Sequence, residues 1–170
     1  MFSIELTGKA ARLLEHCAAH AYRIATAESC TGGLVAGLLT EIPGSSASFE
    51  RGFVTYSNEA KAELLGVPAE LIGQFGAVSR EVAIAMAEGA LRLTAVDVAV
   101  AITGVAGPGG GSENKPVGLV HIAALHRGQK AVHSELRFGD IGRGPIRVAS
   151  VEAAIDLLSI VAGLQVAGRA

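Results

Sequence analysis

The stretch Asp97-Val98-Ala99-Val100-Ala101-Ile102-Thr103 decides the fold. Its Val, Ala and Ile side chains continue without the polar alternation of a half-solvated strand, so both faces need a cover of helices. The run predicts the central strand of a three-layer α/β/α sandwich. It leads directly into Gly104 to Gly118, which holds Gly104, Gly107, Gly109, Gly110, Gly111, Pro108 and Pro116. Glycines at the end of a central strand let backbone N–H groups approach an anion. The same composition describes a mobile linker between two strands. The spacing matches neither GxGxxG nor GxxxxGK, which removes the dinucleotide fingerprint and the phosphate loop of ATPases.

Working outward, Ser79 opens a helix with Glu81 in its first turn and Val82, Met86, Ala90 and Leu93 on one stripe. Before it, Pro68 and Gly76 mark a loop, and Glu59 to Leu65 forms a short helix started by Ser57-Asn58 and ended by Gly66. Phe49 to Tyr56 reads as a strand, Pro43-Gly44-Ser45-Ser46 as a turn, Gly33 to Thr40 as a helix and Tyr22 to Ala27 as a strand. The first helix carries Leu6, Ala10, Leu13, Leu14, Cys17 and Ala21 at helical spacing. On the other side, Leu119 to Leu125 and Ala131 to Phe138 form a hairpin-like strand pair through Arg127-Gly128, and a long apolar helix runs from Pro145 through Val161. The adjacent pair implies that one strand of a mixed, mostly parallel sheet of about five strands runs antiparallel. With no internal repeat and no dividing linker, residues 1–170 read as one domain.

In such a sheet the ligand crevice lies beyond the carboxyl ends of the parallel strands, where three loops should converge: that of Ser29, that of Tyr56 to Lys61 and that of Thr103 to Gly111. The first, Thr26-Ala27-Glu28-Ser29-Cys30-Thr31-Gly32-Gly33, passes from strand to helix. A hydroxyl or thiol there can attack a carbonyl while unpaired N–H groups of the helix start hold the oxyanion. Ser and Thr at that point also serve as ordinary helix caps. Lys61 falls in the first turn of its helix, where the dipole disfavours a cation. Burial would push it towards the neutral amine, whereas a solvated surface lysine is the plainer reading. Arg143 and Arg147 run against the dipole in the same way at the start of the last helix, which suggests that they face something negative.

Composition narrows the classes. Half of the 170 residues are hydrophobic, enough for a core without disulfide or metal staples. Lys and Arg total 14 against 16 Asp and Glu, which leaves no basic excess for nucleic acid or an anionic membrane. Only Cys17 and Cys30 are present, without CxxC spacing, as expected in a reducing compartment. His16 and His20 lack a third ligand at metal spacing, and His121, His126 and His133 read as isolated structural residues. The N-terminus lacks a signal-peptide pattern, and Glu152 and Asp156 interrupt the apolar C-terminal stretch, so a soluble cytoplasmic protein is expected.

Ala27 to Gly33, Gly44-Ser45-Ser46, Arg51 to Lys61, Gly76-Ala77-Val78-Ser79 and Gly104 to Gly118, with its Ala-Gly-Pro and Lys-Pro-Val-Gly elements, together resemble the CinA C-terminal domain family. The resemblance covers nearly the whole chain. It implies a three-layer sandwich and, as in characterised members, hydrolysis of the carboxamide of nicotinamide mononucleotide to nicotinate mononucleotide and ammonia. Carried over by position, it implies Ser29 as nucleophile, Lys61 as general base, Tyr56 and Thr103 as supporting groups, and no cofactor or metal. Cys30, Thr31, Gly32 and Gly104 are then expected at the substrate, the N–H groups of Cys30 and Thr31 as oxyanion donors. Gly107, Gly109, Gly110, Arg143 and Arg147 are expected at its phosphate.

The partner is thus a pyridine mononucleotide, with a homo-oligomer expected and neither nucleic acid nor membrane. Two departures stand out: 170 residues leave no room for the family's larger N-terminal domain, and Gly139-Asp140 is followed by Ile141-Gly142 before Arg143, where the family tends to have Gly-Asp-Arg. Two alternatives stay open. In one Cys30, its thiol pKa lowered at the helix start, is the nucleophile; in the other the chain is a non-enzymatic nucleotide-binding or interaction module linked to competence and DNA damage.

Overall fold

The chain, described over residues 2–164 by a computed structural model, folds around one sheet. In order, the elements are α1 (Ile4–Ala19), β1 (Ile24–Glu28), α2 (Leu34–Glu41), β2 (Phe49–Val54), α3 (Asn58–Leu65) and α4 (Ala69–Phe75). They continue with α5 (Arg80–Arg92), β3 (Val98–Gly104), β4 (Leu119–His126), β5 (Val132–Arg137) and α6 (Arg143–Val161).

The sheet order is β2-β1-β3-β4-β5. β1 pairs in parallel with β2 and β3, whereas β4 pairs antiparallel with both β3 and β5. Only β4 therefore runs against the other strands, as the two-strand pattern near the C-terminus suggests. The apolar run becomes the middle strand, β3 at Val98–Gly104, and alternate residues serve opposite cores. Val98, Val100 and Ile102 pack with α1, α2 and α6, while Ala99 and Ala101 pack with α5. The small side chains on the second face let α5 lie close, with Met86, Ala87 and Ala90 against the sheet.

Two expectations change. The stretch between Pro68 and Gly76 is not a loop: those residues are the N-cap and C-cap of the short helix α4. Proline and glycine mark helix ends as well as loops, and here they bracket a helix only seven residues long. Nor are the strand histidines isolated. His121 Nδ1 and His133 Nε2 lie 3.0 Å apart because β4 and β5 pair in a register that places both rings on the α5 face. Among the described residues no helix is long and apolar enough to cross a membrane, and no group of His, Cys, Asp and Glu is arranged to hold a metal.

Topology also places a crevice. From β1 the chain turns outward to β2, and from β2 it crosses back over the α5 face to β3. The loops after β1 and β3 thus part between neighbouring strands, the position at which open α/β sheets bind ligands.

Candidate active site

A cleft of about 290 Å³ opens at that point. All three expected loops reach it: Ser29 and Cys30 from the first, Tyr56 and Lys61 from the second, and Thr103, Gly104, Gly107, Gly109 and Gly110 from the third, joined by Arg143. Thr31, Gly32 and Arg147, also expected at the substrate, do not line it.

Lys61 sits just after the first turn of α3, whose N-cap Ser57 accepts from the N–H of Ala60 at 3.0 Å. The helix carries the lysine inward, where it is 1% exposed. Its Nζ lies 3.1 Å from Ser29 Oγ, 3.0 Å from the carbonyl of Thr55 and 3.4 Å from that of Ser57. The carbonyls can only accept, so a neutral amine gives them its two N–H bonds and turns its lone pair to the serine hydroxyl. Burial pushes the Lys61 pKa below the ordinary lysine value, and the nearby Glu59 carboxylate pulls the other way without reversing it. The solvated-surface reading of this lysine is therefore overturned.

Ser29 stands in a tight turn between β1 and α2. Its N–H bonds to Ile102 O at 3.0 Å, and its carbonyl accepts from Gly32 N–H at 3.0 Å. Gly32 and Gly33 take positive φ, at 59° and 94°, which a side chain would strain. Gly33, the N-cap of α2, has no side chain to close the helix. Glu28 does so instead: its fully buried carboxylate accepts from Gly33 at 3.0 Å, Val35 at 3.0 Å and Ala36 at 2.9 Å. The N–H groups at the helix start, expected to face a ligand, are thus occupied by the protein itself. That of Thr31, one step earlier, has no acceptor among the described residues, and that of Cys30 faces only its own sulfur.

Sequence reasoning assigned Glu28 no role, and its only signal was an acidic residue closing an otherwise apolar strand. Glu28→Gln replaces one accepting oxygen by a donor that opposes an N–H. It should cost about 1.5–3 kcal/mol and lower Tm by roughly 3–10 °C in a thermal melt. An unchanged melting temperature would contradict this capping role.

Cys30 behaves oppositely to the helix-start expectation. It precedes the helix, and burial pushes its thiol up to about 11, so it stays protonated. Thr103, also buried, donates its hydroxyl to Ala77 O at 2.8 Å and leaves its lone pairs for other donors. Tyr56 is 60% exposed at the rim, where its hydroxyl accepts from Arg143 at 2.9 Å. The other arm of Arg143 donates to Gly107 O at 2.9 Å and ties the glycine loop to α6. Arg147 donates through Nε to Cys30 O at 3.1 Å and through a terminal nitrogen to Thr31 O at 2.8 Å. The negative partners expected of both arginines include backbone carbonyls, that of Gly107 for Arg143 and those of Cys30 and Thr31 for Arg147.

The chain is similar to the nicotinamide-nucleotide amidohydrolase PncC of Escherichia coli K12, at 53% identity over 136 residues, 79% of this chain and 81% of that protein. A CinA-like protein of Colwellia psychrerythraea is 54% identical over 114 residues, 67% of this chain. The matched part spans between a quarter and about a third of the length of that and other long relatives. Among solved structures, the competence/damage inducible protein CihA from Agrobacterium tumefaciens superposes with a TM-score of 0.93 at 51% identity, covering 95% of this chain and 98% of that one. A CinA superfamily protein from Escherichia coli gives 0.86 at 31% identity, covering 93% and 92%. The model of the CinA C-terminal domain matches residues 6–161, and the chain belongs to that family.

Proposed function

We propose that this chain hydrolyses the carboxamide of nicotinamide mononucleotide, giving nicotinate mononucleotide and ammonia, with Ser29 as nucleophile and Lys61 as its base. The observation that carries this reading is the buried amine 3.1 Å from a serine hydroxyl, its other two neighbours being carbonyls. The name of the PncC relative supports the substrate class.

Ser29 Oγ attacks the carboxamide carbon as its proton passes to Lys61 Nζ. The pyridinium ring withdraws electrons and activates that carbon. The oxyanion forms beside the N–H groups of Cys30 and Thr31, fixed donors that need no reorganisation. The C–N bond then breaks as Lys61 returns its proton to the nitrogen, which leaves as ammonia. Water attacks the resulting Ser29 ester, giving a proton to Lys61, and the serine departs with that proton restored. Thr103, a cross-strand neighbour of His121 in the register of β3 and β4, shapes the wall beside the pyridine. Arg143 and the glycines at positions 107, 109 and 110 take the phosphate at the open end.

Incubating the folded protein with nicotinamide mononucleotide and separating the products tests the reading. Equal amounts of ammonia and nicotinate mononucleotide are expected, whereas binding without release of either would assign the chain to the interaction-module class. Arg143→Ala should raise KM for the mononucleotide about 10-fold or more and leave KM for the riboside nearly unchanged, since charge-assisted hydrogen bonds to phosphate are strong. An equal rise for both substrates would remove the phosphate from Arg143.

A further inference from the structure

We propose that Arg147 is a positioning residue for the oxyanion donors, acting on the peptide groups of the Ser29 turn and not on the substrate phosphate. The inference rests on the amidohydrolase reading of the same site.

The guanidinium binds two successive carbonyls, those of Cys30 and Thr31, at 3.1 and 2.8 Å. In a trans peptide the C=O of one residue and the N–H of the next point in opposite directions across one plane. Holding Cys30 O on Arg147 therefore turns the Thr31 N–H away from the guanidinium. Holding Thr31 O does the same for the Gly32 N–H, which closes the turn onto Ser29 O at 3.0 Å. One arginine thus fixes two adjacent peptide planes, and its charge on the Cys30 carbonyl polarises the Thr31 N–H into a stronger donor.

Three further features fit this role. Arg147 lies in the early turns of α6, where a cation is disfavoured unless it meets negative charge, and two carbonyls supply it. A Cβ built on Gly32 would stand 3.5 Å from the guanidinium, so the arginine packs directly against the turn. The opposite end of the turn is fixed by Glu28 through α2, and between Ser29 and Gly33 Arg147 adds a side-chain restraint to the backbone bonds from Gly32 N–H to Ser29 O at 3.0 Å and from Leu34 N–H to Thr31 O at 3.3 Å. A lysine cannot replace it, because one ammonium lacks the rigid fork that spans two carbonyls.

The test uses Arg147→Lys and Arg147→Met, with nicotinamide mononucleotide and the riboside as substrates, beside hydrogen–deuterium exchange of the peptide carrying residues 29–33. Both variants should lower kcat for the two substrates alike by about 10–100-fold, with KM within about threefold of the parent, since misaligned oxyanion donors act on the transition state. Added guanidinium should recover part of the kcat of Arg147→Met and none of that of Ser29→Ala. Amide exchange in the 29–33 peptide should rise at least about tenfold in Arg147→Met while the α5 peptides stay unchanged. Unchanged kcat, or a KM rise confined to the mononucleotide, would overturn the proposal, the latter by returning Arg147 to the phosphate. Should the parent release no ammonia, the amidohydrolase reading fails, and exchange still decides the clamp: unchanged exchange in residues 29–33 would overturn it.

Discussion

Ser29→Ala should reduce ammonia release from nicotinamide mononucleotide by about 10³-fold or more, with KM little changed, because removing the nucleophile abolishes the covalent route and leaves only the surrounding donors. The fold should survive, since Ser29 Oγ makes its one described hydrogen bond to Lys61 and the turn is held by Glu28, Arg147 and backbone bonds. Cys30 provides the control. It lines the same cleft, but burial pushes its thiol up to about 11, so Cys30→Ala should keep turnover within a few-fold of the parent. Loss of turnover in Cys30→Ala with retention in Ser29→Ala would reverse the assignment.

Lys61→Met should lower kcat by about 10²–10⁴-fold, the range of a positioned general base. Methionine fills a similar apolar volume and removes a buried amine, but it leaves the Thr55 carbonyl without that donor, so the thermal melt should fall by no more than about 10 °C and the fold should hold. The pH dependence separates a base from a structural lysine. Only the neutral amine can take the serine proton, and burial sets the Lys61 pKa below the 10.5 of an exposed lysine. Activity should therefore be low where Lys61 is protonated and rise with pH as it deprotonates, with a midpoint under 10.5. The residual activity of Lys61→Met should lack that limb; a parent profile flat over the same range would contradict the base role.

The parts of this site legible in the sequence were those where a residue broke a local rule. An uninterrupted apolar run from Val98 to Ile102 can only be a strand covered on both sides, and that placed the glycine loop at the crevice. Lys61 in an early helical turn defied the dipole preference, and the structure buries it beside Ser29. What escaped was held by partners without a side-chain signature. Arg147 ends on two carbonyls, and nothing in a sequence distinguishes a carbonyl from a phosphate as the negative group that an arginine meets. Glu28 caps a helix five residues ahead because two glycines fold the chain back towards it, a reach that depends on their positive φ. The pairing of His121 with His133 depends on strand register, which the turn at Arg127-Gly128 leaves open until the strands are aligned.

The most direct test of the Ser29–Lys61 pair is ammonia release from nicotinamide mononucleotide, without added metal, by the parent, Ser29→Ala, Lys61→Met and Cys30→Ala, each with a matched melting curve. Turnover by the parent and Cys30→Ala, with loss in the other two, is the predicted result; turnover by folded Ser29→Ala within tenfold of the parent would contradict it.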